Sequence, residues 1–192
     1  MKILSWDIGI YNCSYIIIEI ADDKTLSIVD WDIVNFIDDE KMKKNKPLMF
    51  SNIPKKLDAI PKLLDVNIVL IENQPSLKNP QMKSVQMIIY SYFLIKGDSL
   101  KIEFISAMNK LKKINNCIVD DEETCTLINN IKEKTKSSYT QKKKISIIYC
   151  EKIIKDHDKF NNYLDFFKNN SKKDDLADSF LQCYYYIHNI HT

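Results

Sequence analysis

Three observations predict an α/β fold, with a mixed five-stranded sheet flanked by helices. The first third of the chain holds three β-rich segments joined by short loops, the pattern of an antiparallel meander. A fourth apolar run, Asn67 to Ile71, is short and unbroken, as expected of a strand covered on both faces. Beyond it, helical and strand-like periodicities alternate.

Residues 2–8 read as a buried strand in which Ile3, Leu4 and Trp6 precede Asp7. Residues 14–20 and 26–36 supply the next two strands, and 38–46 follow as a polar segment. Leu48, Ile53, Leu57, Ile60 and Leu64 recur at helical spacing, but Pro54 and Pro61 predict a broken or kinked helix over 48–65. Residues 67–71 form the fourth strand, ending at Glu72. A helix over 80–96 is closed by Gly97 as its C-cap, and 101–106 are the fifth strand. Residues 108–138, polar and lysine-rich, read as an insertion carrying one short helix. An amphipathic helix over 140–155 opens at Thr140 and Lys142 to Lys144, and a last helix covers 172–190. The expected organisation is one domain over 1–192, in an order that matches the RNase H-like architecture.

The composition excludes several classes. Only two glycines are present, Gly9 and Gly97, so neither a P-loop nor a dinucleotide fingerprint can be built. Five cysteines, odd in number and without a C-x-x-C pair, argue against a disulfide framework or a structural zinc site and for a reducing intracellular setting. No apolar run approaches the roughly 18 residues that span a bilayer, so no membrane partner is expected. The N-terminus lacks the features of a secretory signal, which favours a cytoplasmic, viral setting over a mitochondrial one. All 28 basic residues are lysine, and the net charge is only +2. Lysine meets phosphate as a point charge and is poor at bidentate reading of guanine, so any DNA contact should follow backbone and shape.

The chemistry rests on four carboxylates. Asp7 ends an apolar strand two residues before Gly9; a carboxylate inside a covered sheet is costly unless something compensates it. Glu72 ends the fourth strand at its carboxyl end, where open sheets place ligands. Each alone equally fits an ordinary strand-end acid. Asp175 and Asp178, three apart in the last helix, share a face. Ala177 between them lets that helix approach the sheet, while Leu176, Phe180 and Leu181 form its apolar stripe. Asp174 reads as a helix-start residue, favoured there electrostatically, but aspartate is a poor interior helix former and Asp178 needs another reason. Two divalent cations about 3.5–4 Å apart, held by such oxygens, can activate water against a phosphodiester. Asp7 would bridge them, Glu72 completing one site and Asp175 or Asp178 the other. Magnesium suits an oxygen-only donor set of this size. Lys142, Lys143, Lys144, Lys172 and Lys173 flank the acids and could hold phosphates, although lysine clusters are commonly just solvated surface. Lys110 to Lys113 are a weaker candidate, and Tyr184, Tyr185 and Tyr186 read as core or dimer contacts.

These motifs carry a resemblance. Ser5-Trp6-Asp7-Ile8-Gly9, Leu70-Ile71-Glu72-Asn73-Gln74-Pro75 and Lys173-Asp174-Asp175-Leu176-Ala177-Asp178-Ser179, with a weaker match from Ser138-Tyr139 to Lys144, are similar to motifs of the RuvC-like Holliday junction resolvases. The resemblance is to the branch joining poxvirus and fungal mitochondrial enzymes, and it spans the chain apart from 108–138. It implies an RNase H-like fold, a homodimer, magnesium with manganese able to substitute, and paired nicks across a four-way DNA junction in recombination and repair. It assigns Asp7, Glu72, Asp175 and Asp178 as metal ligands and catalytic residues. The alternatives are a nuclease acting on RNA–DNA hybrids or flaps and a non-catalytic junction-binding protein.

Overall fold

The structure is a computed structural model that describes residues 1–77, 79–98, 100–106 and 122–190. Its first strands are β1 (Lys2–Asp7), β2 (Cys13–Ile20) and β3 (Leu26–Val34). They pair antiparallel in succession, with one register irregularity between Ile17 and Ile18. β4 (Ile68–Glu72) and β5 (Lys101–Ile105) then add parallel strands on the other side of β1. The sheet order is β3-β2-β1-β4-β5, so β4 is an interior strand, and all five of its residues are buried. The sheet is mixed and helix-flanked, as its sequence predicts.

Helices cover both faces. α1 (Glu40–Lys44), α2 (Lys46–Asp58) and α3 (Pro80–Lys96) follow the meander and β4. α4 (Glu122–Lys134), α5 (Ser138–Asp156), α6 (Leu164–Asn169) and α7 (Lys173–Ile190) complete the described helices. Strand alternation divides the core in two. Leu4, Trp6, Ile17, Val69 and Ile71 pack with Met49, Ile53 and Leu57 of α2 and Val85, Ile89 and Phe93 of α3. Ile3, Ile16, Ile18, Ile68 and Leu70 pack with Cys150 and Ile154 of α5, Phe167 of α6, and Leu176, Ala177 and Phe180 of α7.

Several elements differ from the sequence expectation. The polar segment 38–46 contains α1, nucleated by Asp39, whose side chain accepts from the Met42 amide at 2.9 Å. The kinked helix expected over 48–65 is two pieces, α2 and a 3-10 turn over Pro61–Leu64. Pro54 lies inside α2, where burial of Met49, Ile53 and Leu57 outweighs its lost hydrogen bond. The break falls at Ile60, which is non-helical ahead of Pro61. α5 starts before Thr140, at Ser138, because Ser137 caps it. Gly97 does cap α3 as expected, its amide donating to the Phe93 carbonyl at 2.9 Å, but with φ −82° rather than a left-handed conformation; a β-carbon there would stand 2.6 Å from that carbonyl oxygen. α6 is a further element that sequence periodicity passes over. It is six residues long, too short for a period to register, and it brings Phe167 into a stack on Trp31 with ring centroids 5.4 Å apart. Of the segment 108–138, residues 108–121 lie outside the described residues, as do Lys110 to Lys113, and 122–134 form α4. Tyr186 is fully buried, while Tyr184 and Tyr185 are partly exposed.

Candidate functional site

Asp7 and Glu72 are brought together by strand register. β1 and β4 run parallel, and their last pair is Trp6 with Ile71. One residue further, Asp7 and Glu72 end neighbouring strands at the carboxyl edge of the sheet. Alternation then decides which way they face. Trp6 and Ile71 belong to the core under α2 and α3, so Asp7 and Glu72 face the opposite side, toward α7. Each is only 9% exposed.

α7 lies on that side. Ala177 and Leu176 are fully buried against the sheet. Two polar anchors set the helix's register over the strands. Ser179 and Ser14 share a buried hydroxyl–hydroxyl hydrogen bond of 2.7 Å. The Gln182 side-chain amide donates to Ser5 Oγ at 3.0 Å and to the Trp6 carbonyl at 3.2 Å, one residue before Asp7. Asp175, Asp178, Ser179 and Gln182 therefore form a polar stripe at i, i+3, i+4 and i+7, facing the strand ends. Sequence reasoning assigned roles to the two aspartates, quoted Ser179 only as a motif residue, and passed over Gln182. The signal was present: polar residues continuing an aspartate stripe within an otherwise apolar helix.

All four carboxylates line one cleft of about 550 Å³, together with Lys142 and Lys143 from the first turns of α5. Gly9 shapes its floor. A β-carbon on Gly9 would lie 2.3 Å from the Asn12 carbonyl oxygen, so the turn from β1 to β2 closes only over a bare α-carbon. Gln74 and Tyr139, which the sequence offered only as motif residues without a role, also border the cleft.

The cleft's electrostatics reflect crowded negative charge. Burial pushes the Asp175 carboxyl up to about 6, the charges of Asp174, Asp7 and Asp178 push it the same way, and Lys143 opposes them. Cys13 beneath the cleft records the same field: burial raises its thiol, and the charges of Asp7, Glu72 and Asp175 raise it further. Asp174 stands outside the cleft lining and is ion-paired with Lys143. Burial raises its carboxyl, but the Lys143 contact outweighs this and holds it below the usual range. Lys143 also lies over the Tyr139 ring, 5.2 Å from its centroid. Lys142 is exposed at the cleft, and Lys144 and Lys172 are exposed beyond its lining. Lys173 is half-buried at the start of α7, also outside the lining.

The donor chemistry suits a hard divalent cation: oxygen-only ligands, poorly solvated, repelling one another across an open cleft. The geometry is not a closed cage. Among the described residues, no three acidic, imidazole or thiol side chains form a group that could hold a cation as they stand.

No protein-family model matches the chain. It is 35% identical over 147 residues to an uncharacterised protein of Acanthamoeba polyphaga mimivirus. That alignment takes in 71% of this chain but 33% of the relative, so the chain spans about a third of the length of the protein it matches. Among solved structures, the fowlpox virus resolvase in complex with its substrate Holliday junction superposes with a TM-score of 0.63 at 20% identity, over 100% of both chains. The yeast mitochondrial Holliday junction resolvase gives 0.60 at 14% identity, covering 96% of this chain and 78% of that one. RuvC of Thermus thermophilus with a Holliday junction substrate gives 0.56 at 9% identity, covering 97% and 94%. The chain has the RNase H-like fold of the RuvC-type Holliday junction resolvases. None of its described helices is long and apolar enough to cross a membrane.

Proposed function

We propose that this protein is a magnesium-dependent endonuclease that resolves four-way DNA junctions by paired phosphodiester hydrolysis, with manganese able to substitute. The observation that carries this reading is the convergence of Asp7, Glu72, Asp175 and Asp178, from two strands and one helix, on a single cleft. The fold shared with junction resolvases supports branched DNA as the substrate over phosphodiesters in general.

In this reading Asp7, Glu72, Asp175 and Asp178 would hold the cations. When bound, the cations supply Lewis-acid activation of the attacking water and stabilisation of the leaving oxygen. The chain supplies the rest. Ser179 and Gln182 fix α7 over β1 and β2, so that Asp175 and Asp178 are presented to Asp7 at a set height. The depth of the cleft limits hydration of Asp175 and strengthens its pull on a cation. Lys142 and Lys143 border the acids and face the phosphates flanking the cut, while Lys144, Lys172 and Lys173 extend the positive rim. A homodimer presents two such clefts to the two-fold symmetry of a junction.

The test is cleavage of a mobile four-way junction beside an RNA–DNA hybrid duplex, in magnesium. The wild type should cut the junction and spare the hybrid. Asp7→Asn should lose cleavage while still binding the junction in a gel-shift assay. Undiminished cutting by Asp7→Asn would remove the metal mechanism; preferential cutting of the hybrid would change the substrate; binding without cutting by the wild type would leave a non-catalytic junction-binding protein.

A further inference from the structure

Glu72 is followed by a turn that is held from three sides. The Asn73 amide donates to the Ile105 carbonyl at 2.8 Å, extending the ladder to β5 by one residue. The Gln74 amide donates to the side-chain oxygen of Gln86 at 2.8 Å. Lys83 Nζ bridges the Asn73 side-chain oxygen at 3.1 Å and the same Gln86 oxygen at 3.2 Å. Gln86 lies in α3 and is fully buried. Both neighbours of its oxygen are donors, which fixes the amide orientation chemically. Its side-chain nitrogen is left buried with no hydrogen-bond partner among the described residues. A buried, half-satisfied amide costs stability. A leucine or methionine would pack α3 without that cost. The amide at position 86 thus serves the turn rather than the core.

We infer that Gln86 is a positioning residue for Glu72: by clamping the Gln74 backbone, with Lys83 bracing Asn73, it sets the direction in which the Glu72 carboxylate enters the cleft. The inference rests on the nuclease reading and deepens it. A residue that aims a ligand acts through that ligand's affinity for the cation, so its removal should fall on metal dependence and turnover rather than on DNA binding.

Two substitutions separate the acceptor from the packing. Gln86→Met keeps the volume and removes the oxygen. Gln86→Glu keeps an acceptor for the Gln74 amide and offers Lys83 an opposite charge. Mn²⁺ binding is read by electron paramagnetic resonance, junction affinity by gel shift in Ca²⁺, and kcat and KM by single-junction cleavage, on variants whose circular dichroism matches the wild type. Gln86→Met should weaken Mn²⁺ binding and lower kcat by roughly 10-fold or more, the range for groups that orient a ligand, with KM and junction affinity nearly unchanged. Gln86→Glu should retain most of both. Wild-type Mn²⁺ binding by Gln86→Met, or equal losses in Met and Glu, overturns the inference. If the wild type cuts no junction, the nuclease reading fails, and the Mn²⁺ titration still decides the clamp.

Discussion

Replacing Asp175 by asparagine should make the metal-free fold more stable while removing the proposed junction cleavage. Folding lifts this carboxyl from 3.8 to about 6, through burial first and then the charges of Asp174, Asp7 and Asp178. The sign follows from which state holds the proton more tightly. Below pH 3.8 both states are protonated and nothing is lost. Between 3.8 and 6 the unfolded chain releases its proton first, so stability falls as pH rises. Above 6 the full penalty of an ionised Asp175 is carried by the fold. At 1.36 kcal/mol per pH unit this amounts to about 3 kcal/mol, but the group is only half-buried, and solvent screening reduces it to about 1 kcal/mol. Asparagine has nearly the same shape and is neutral throughout. In EDTA at pH 8, Asp175→Asn should melt roughly 2–4 °C above the wild type, as expected for about 1 kcal/mol in a domain of this size. The gap should close toward pH 4. Added magnesium should raise the wild-type Tm and narrow the difference, because a cation stabilises only the fold that binds it. Scanning calorimetry at pH 4, 6 and 8 reads all of this. A variant no more stable than wild type at pH 8, or a gap that persists at pH 4, would refute the electrostatic account of the cleft.

Other expectations concern the frame and the rim. Gly9→Ala places a methyl against the Asn12 carbonyl, so urea unfolding should show a loss of about 1–3 kcal/mol, and junction cleavage should fall because the displaced turn borders Asp7; an unchanged unfolding midpoint would mean the turn has room that the geometry denies. Lys142→Ala should lower the slope of log binding constant against log salt by roughly 1, because one phosphate fewer is neutralised. Lys143→Ala should weaken junction binding further, since it also leaves the charge of Asp174 unpaired at the proposed phosphate-binding rim. Equal salt slopes for the wild type and both variants would take this end of α5 off the DNA path.

Much of the fold is legible in the sequence because the sheet is strongly patterned. The meander, β4 and the long helices α3, α5 and α7 each carry a clear period or an unbroken apolar run, so burial alone identifies them. The short elements are not legible in the same way. α1 and α6 have five and six residues, less than two helical turns, and they exist through an Asp39 cap and a stack on Trp31. The division of the 48–65 region at Ile60 was equally hidden, because two prolines announce a break without saying which will be absorbed.

For the site, local period and strand polarity are enough to show that Asp7 and Glu72 end strands and that Asp175 and Asp178 share a helical face. That the three elements meet is a property of the folded chain alone. Their meeting requires the parallel register of β1 and β4, the alternation that turns Asp7 and Glu72 toward α7, and the Ser14–Ser179 and Ser5–Gln182 contacts that fix the height of α7. The folded chain also decides the pairing of Lys143 with Asp174 and the clamp of Gln86 on the turn after Glu72. Ser14 and Ser179 are 165 residues apart and Ser5 and Gln182 are 177 apart. No local pattern encodes such contacts, because each hydrogen bond exists only where packing elsewhere has already brought its two partners together.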